Sequence, residues 1–168
     1  MSTNALREKF LYHLEELYYV ESRLVHALGE IAENVTNDDL REAIEHHREQ
    51  TKAHVTRLED VFETLGVAPK ERSSPTFDAL VEEREQLLAM GGDQDMQDLH
   101  ELGVAAKTEH LEIAAYENLV VLARKLNLSS AIRDTLEENL DEEQRARKQL
   151  AAMADDSTIR SVFTRLTG

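Results

Sequence analysis

A chain of 168 residues is long enough to bury a full hydrophobic core, and 32% charged residues against 5% aromatics, with two prolines and six glycines, is the composition of long helices. Zero cysteines exclude disulfides, thiolate zinc sites and cysteine nucleophiles, so any metal chemistry must use oxygen and imidazole. Lys plus Arg at 19 against Asp plus Glu at 34 leaves a formal charge of −15, a field that repels phosphate backbones and attracts cations.

Nucleic acid is therefore not an expected partner. Neither a long uncharged apolar run nor a basic, then apolar, then small-residue leader is visible, so the expectation is a cytoplasmic protein with no membrane contact. The basic residues are mostly Arg, with six Lys, which together with the acidic excess fits a surface adapted to high salt.

The first long helix is expected from about Thr3 to Glu33. Thr36, with Asp39 three residues on, reads as the N-cap of a second helix that continues to about Leu65 before Gly66 and Pro69 stop it. KERSSPT, residues 70–76, reads as a loop leading to a short helix from about Phe77 to Met90, ended by Gly91-Gly92. Asp93 caps a third long helix that runs to about Leu126. Asn127 and Ser129 make a tight turn, and a fourth long helix follows from about Ser130 to Ala154. The tail STIRSVFTRL carries Ile159, Val162, Phe163 and Leu166 at helical spacing and is expected to form a short C-terminal helix. Two hairpins with short turns, joined by nearly thirty residues, describe an all-α four-helix bundle with one long crossover, here expected as one domain over residues 1–168. That is the ferritin-like topology.

The seams, counted at steps of three and four, turn polar near their middles. The first helix gives Phe10, Leu14, Leu17, Glu21, Leu24, Leu28 and Ile31; the second gives Leu40, Ile44, His47, Thr51, His54, Leu58 and Val61, with Gln50 flanking Thr51. The third gives Leu102, Ala106, Glu109, Ile113, Tyr116, Val120 and Ala123, with Glu112 beside it; the fourth gives Ile132, Leu136, Asn139, Glu143, Ala146, Leu150 and Met153. Antiparallel neighbours rise together at about 1.5 Å per residue, so counting from the turns brings Glu21 level with Gln50 and Glu112 level with Glu143.

A buried, unpaired carboxylate costs several kcal/mol, and four exceed what a domain's roughly 5 to 15 kcal/mol of stability can carry. Lys and Arg are absent from the central seams, so the economical counter-charge is a pair of metal ions held by carboxylates and one or two imidazoles. A lone Glu in a bundle ordinarily snorkels or bonds to water, and a lone core His ordinarily bonds to Thr51 or a backbone carbonyl; coincidence at one depth favours ligation. His110 sits at the seam's edge as a residue that would orient a ligand. Tyr116, one turn beyond Glu112, is the candidate redox or hydrogen-bonding side chain, against the reading of an ordinary core aromatic. Glu137, Glu138, Asp141 and Glu142 read as a solvated face.

The runs LYYVESRL (17–24), HREQTKAHVTRLEDVFETLG (47–66), TEHLEIAAYENLVVLA (108–123) and TLEENLDEEQRARKQLAAMA (135–154) resemble the YciE/YciF family of ferritin-like proteins. EHLEIAAY is the most specific piece. The resemblance implies a stress-associated homodimer with a dinuclear metal site, iron with manganese or zinc as alternatives, acting as a ferroxidase with O₂ or peroxide as co-substrate. A non-catalytic or metal-free dimeric bundle is the alternative. Carried over by position, Glu21, Glu109, Glu112 and Glu143 take ligand places. On the second helix Gln50, His47 and His54 are the candidate ligands: Gln50 stands where some relatives have Glu, and since a neutral amide is a weaker ligand than a carboxylate, His47 and His54 would compensate. Arg147 stands where relatives often have Asp.

Overall fold

The computed structural model describes residues 3–155; the expected C-terminal helix lies outside them. Five helices follow in order: α1 (Thr3–Asn34), α2 (Asp38–Thr64), α3 (Pro75–Ala89), α4 (Gln94–Lys125) and α5 (Ser130–Asp155). The bounds fall within a residue or two of those read from caps and breakers, with two instructive differences. Asn37, not Thr36, caps α2: its side chain accepts from the Leu40 N–H at 2.8 Å. Thr36 is drawn off by Asp98, whose carboxylate accepts from the Thr36 N–H and hydroxyl and from the Asn37 N–H. The crossover helix begins at Pro75 because Ser74 accepts from the Phe77 N–H and proline suits the first helical position.

The turns use the expected chemistry. Gly66, after α2, has φ 71°, and Asn127, after α4, has φ 51°, the left-handed conformation that Gly and Asn tolerate best. The long crossover returns the chain to the end of the bundle where α2 began. There Asp98 in the first turns of α4 meets Thr36, and the Gln94 side chain donates to the Asn34 carbonyl at 2.9 Å. α1 therefore pairs with α2 and α4 with α5, while α1–α4 and α2–α5 contacts close the bundle.

α3 lies on α4. Its single buried side chain is Phe77, and it is tied down by Arg84, which grips Glu101 through two hydrogen bonds of 2.6 and 2.7 Å. Glu101 is 2% exposed and far from the bundle's central polar layer in sequence; its burial went unrecognised because its partner comes from the crossover.

Two hydrophobic cores result. One gathers Phe10, Leu14, Leu17, Leu58, Phe62, Tyr116 and Leu136; the other gathers Leu24, Leu28, Ile31, Leu40, Ile44, Phe77, Leu102 and Leu150. Each long helix of the bundle contributes to both, and the polar layer lies between them.

Candidate metal centre

The expected seams of α1, α2 and α5 are buried almost throughout, so heptad-like spacing positions Glu21, His47, His54 and Glu143 inside. On α4 the buried stripe is wider than the seam: Ala106 and Ile113 are only half-buried, while Val104, Thr108 and Glu112 beside it are buried, and the seam is closed again at Tyr116, Val120 and Ala123. α3 packs on this flank of α4, next to Val104, Thr108 and Glu112, so residues beside the seam are covered as well. His110 is exposed, so the orienting role expected of it is not borne by its position.

Six side chains meet between the cores. His47, Glu109, Glu112 and Glu143 offer ligand atoms within 4.8 Å of one another, and so do Glu21, His54 and Glu143. Glu143 belongs to both groups. His47 and His54 are two helical turns apart on α2, about 10 Å along the axis, so each ring serves a different group. The donor set differs from the Glu-x-x-His pairs common in di-iron bundles: α4 supplies Glu109-x-x-Glu112, and both imidazoles come from α2.

His47 Nε2 lies 2.9 Å from Glu109 Oε1 and 3.8 Å from Glu143 Oε2. His54 Nδ1 lies 2.8 Å from Glu143 Oε1 and 3.3 Å from Glu21 Oε1, and its Nε2 lies 2.8 Å from Glu142 Oε2. Neither ring bonds to Thr51, whose hydroxyl donates to the His47 carbonyl instead. The Tyr116 hydroxyl donates to Glu21 Oε1 and accepts from Asn139 Nδ2 at 2.9 Å. Arg57 closes the arrangement, donating to Asn139 Oδ1 at 2.9 Å and to Glu142 Oε2 at 3.0 Å. Arg57, Asn139, Tyr116, Glu21, His54 and Glu142 thus form a ring that runs from the bundle's flank to its centre.

Left to their neighbours' charges, His47, His54, Glu112, Glu143 and Tyr116 hold their protons more tightly than usual. Burial disfavours the His47 imidazolium, but the hydrogen bond to Glu109 and the charges of Glu109, Glu143 and Glu21 outweigh it and lift its pKa to about 9. Burial likewise opposes the charge on His54, and Glu21 and Glu143 overcome it, lifting the pKa to about 11. Burial and neighbouring carboxylates push Glu112 well above its usual range and Glu143 to about 8, although His54 and His47 pull Glu143 the other way. Burial, then the charges of Glu21 and Glu143, raise the Tyr116 phenol well above 10. Burial would raise Glu142 too, but its bonds to Arg57 and His54 hold it below the ordinary value.

Protons do not satisfy the geometry, however. Ten buried side-chain nitrogen and oxygen atoms among the described residues make no hydrogen bond of good geometry, and eight belong to Glu21, His47, His54, Glu109, Glu112 and Glu143. Two of the eight, His54 Nδ1 and Glu143 Oε1, face each other at 2.8 Å; the other six, both oxygens of Glu112 among them, have no such neighbour. Buried polar atoms are normally paired, so orphans converging from four helices fit a cation bound by oxygen and imidazole. These residues can hold a metal ion.

Gln50 is half-buried and lines a small cavity with His47, Glu109 and Gln149. Sequence reasoning missed two partners. Glu142 reads as solvent-facing with its neighbours and yet supports His54, and Arg57 stands outside every seam. The signal available was the spacing of Arg57 three residues after His54, on the flank facing α5.

An all-α bundle with one long crossover and carboxylate and imidazole groups facing one another at mid-depth is a ferritin-like bundle with a candidate metal centre. A family described as a domain of unknown function, DUF892, matches residues 5–162, and the chain belongs to it. Protein YciF of Escherichia coli is 28% identical over 155 residues, covering 92% of this chain and 93% of that one. The crystal structure of the E. coli stress protein YciF superposes with a TM-score of 0.83 at 27% identity, over 89% of this chain and 94% of the other. YcfI of Rhodopseudomonas palustris gives the same TM-score at 32% identity, over 87% and 92%. The YciE/YciF resemblance drawn from the motifs is borne out. Among the described residues no helix is long and apolar enough to cross a membrane.

Proposed function

We propose that this protein binds two divalent metal ions at the shared carboxylate and histidine layer and oxidises Fe(II) there, using hydrogen peroxide or dioxygen, as part of a stress response. The single observation that carries the reading is the overlap of two donor groups at Glu143, with six buried atoms on five of the six side chains left without a partner. Supporting it further, an E. coli relative is a stress protein.

In this reading His47, Glu109 and Glu112 would hold one ion and Glu21 and His54 the other, with Glu143 in reach of both groups. Iron there would supply one-electron redox chemistry: two Fe(II) would together give two electrons to one hydrogen peroxide, which with two protons becomes two waters. With dioxygen the same two electrons and two protons give hydrogen peroxide. The chain's own part is positional. Glu142 and Arg57 fix the His54 ring, Tyr116 and Asn139 fix Glu21, and the flanking cores exclude bulk water. Manganese or zinc would suit the same donors without the same turnover.

A second reading is favoured by the raised pKa values of His47, His54 and Glu143: the layer holds protons, and the protein is a metal-free bundle. Metal content per chain after anaerobic Fe(II) loading and desalting separates the two. Near two irons in the parent and near none in a Glu21→Ala, Glu143→Ala double variant support the metal reading; none in either overturns it. Equal Fe(II) oxidation by the parent and Glu109→Ala would remove the enzyme while leaving a binding site. The homodimer expected from the family is tested on the same samples by light scattering.

A further inference from the structure

Glu112 lies in the lining of two cavities, both largely apolar, that differ in size and in the polar side chains at their rims. One, about 40 Å³, lies under α3 among Leu24, Leu28, Phe77, Leu80 and Val104 and also touches His47 and Glu109. The other, about 240 Å³, lies on the α1–α4 face, where His13, Glu16, Ser74, Thr76 and Asn118 bring polar groups to a cleft with Glu112 in its wall. The first is too small and too apolar for a hydrated ion. The second holds on the order of ten waters, more than the roughly six that surround a hydrated divalent cation.

Glu112 itself is 1% exposed, and neither of its carboxylate oxygens has a hydrogen-bond partner. His13 and Glu16 are one helical turn apart on α1, with His13 Nδ1 at 3.5 Å from Glu16 Oε2 and both side chains partly open to solvent. An imidazole beside a carboxylate at the opening, leading to an unpartnered carboxylate within, offers successive stations for a cation losing its water. The chain's charge of −15 supplies the long-range attraction.

We infer that the α1–α4 cleft is the loading route for divalent cations, with His13 and Glu16 at its mouth and Glu112 receiving the ion at its inner end. The inference rests on the metal reading above and adds what that reading lacks, a path from solvent to a layer enclosed by two cores. Glu16 acts on the rate of arrival, not on final occupancy, because it lies outside both donor groups.

The test is anaerobic stopped-flow binding of Co(II) alone, followed by its visible absorbance, in the full chain. Glu16→Lys reverses the charge at the mouth, Ala114→Trp places bulk on the exposed α4 residue that lines the cleft, and Glu33→Lys makes the same change of net charge far along α1. The expected result is a slowing of about ten-fold or more in Glu16→Lys and in Ala114→Trp, with final stoichiometry and spectrum unchanged, and a change of no more than about two-fold in Glu33→Lys. Parent-like rates in Glu16→Lys and Ala114→Trp, with Co(II) still bound, overturn the route and leave the metal centre standing. A parent that binds no Co(II) at equilibrium overturns both.

Discussion

His54 and Glu142 are joined at 2.8 Å, Nε2 to Oε2, on the side of the ring that faces away from Glu21 and Glu143. This carboxylate fixes the ring's orientation and leaves Nδ1 as the atom aimed at the centre, the support commonly given to a metal-binding imidazole. Arg57, bonded to both Glu142 and Asn139, steadies the carboxylate in turn. Glu142→Gln and Arg57→Ala are expected to weaken Co(II) affinity by about 10- to 100-fold while the helical circular dichroism is retained. Titration of Co(II) absorbance measures it, and parent-like affinity in both variants would remove the supporting role.

Metal binding should be strongly pH-dependent. At neutral pH His47, His54 and Glu143 hold protons that a metal ion must displace, so binding is expected to release about two to three protons per chain. Affinity rises with pH through the region of 8 to 9, where Glu143 and His47 titrate. Proton release into a weakly buffered indicator solution during anaerobic Mn(II) addition gives the number directly.

The metal-free chain should respond to pH in the opposite direction. Between about pH 4.5 and 8 the folded state keeps the Glu143 proton that the unfolded chain loses, and between about 6.5 and 9 the same holds for His47. Proton binding therefore favours the folded state, and its contribution is lost as pH rises through those folded values. Thermal melts in chelator should show Tm falling by about 5 °C or more from pH 6 to 9, and saturating Mn(II) should flatten or reverse the slope.

Tyr116→Phe removes the hydroxyl between Asn139 and Glu21. Two buried groups lose a partner, so a stability loss of about 1 to 3 kcal/mol is expected in urea unfolding. Metal content should stay near the parent's, because the phenol belongs to neither donor group, while Fe(II) oxidation slows. Loss of metal instead would make Tyr116 a determinant of Glu21's position alone.

Arg84 and Glu101 lie outside the centre and test the crossover. Arg84→Met leaves a 2% exposed carboxylate without its partner, which should cost about 3 to 5 kcal/mol in urea unfolding, and Arg84→Met with Glu101→Leu should recover most of it. An unchanged midpoint in the single variant would mean that Glu101 takes up a proton or water without strain.

The helices, the Asp93 cap and the depth of the polar layer were legible because each depends on local chemistry: a capping oxygen three residues before an N–H, a glycine or asparagine that turns left, a rise of 1.5 Å per residue. The α2 cap was not, because Asp98 from another helix takes Thr36. Glu21, Glu109, Glu112 and Glu143 were legible for the same reason, since a carboxylate inside an apolar seam is improbable without a counter-charge. The α2 contribution was harder. Counting from the turn reached the depth of Gln50, yet His47 and His54, above and below it, present the ring nitrogens to the carboxylates.

What the sequence by itself determined, then, is which residues lie at which height along each helix. Only the tertiary structure decided which way each helix is turned about its axis, and so that Glu142 supports His54 although it reads as solvent-facing, that Glu101 meets Arg84, and that Glu112 faces both cavities. The physical reason is that height follows from backbone hydrogen bonds within one helix, whereas rotation is set by the packing of four seams and a crossover at once, and no single seam contains that information.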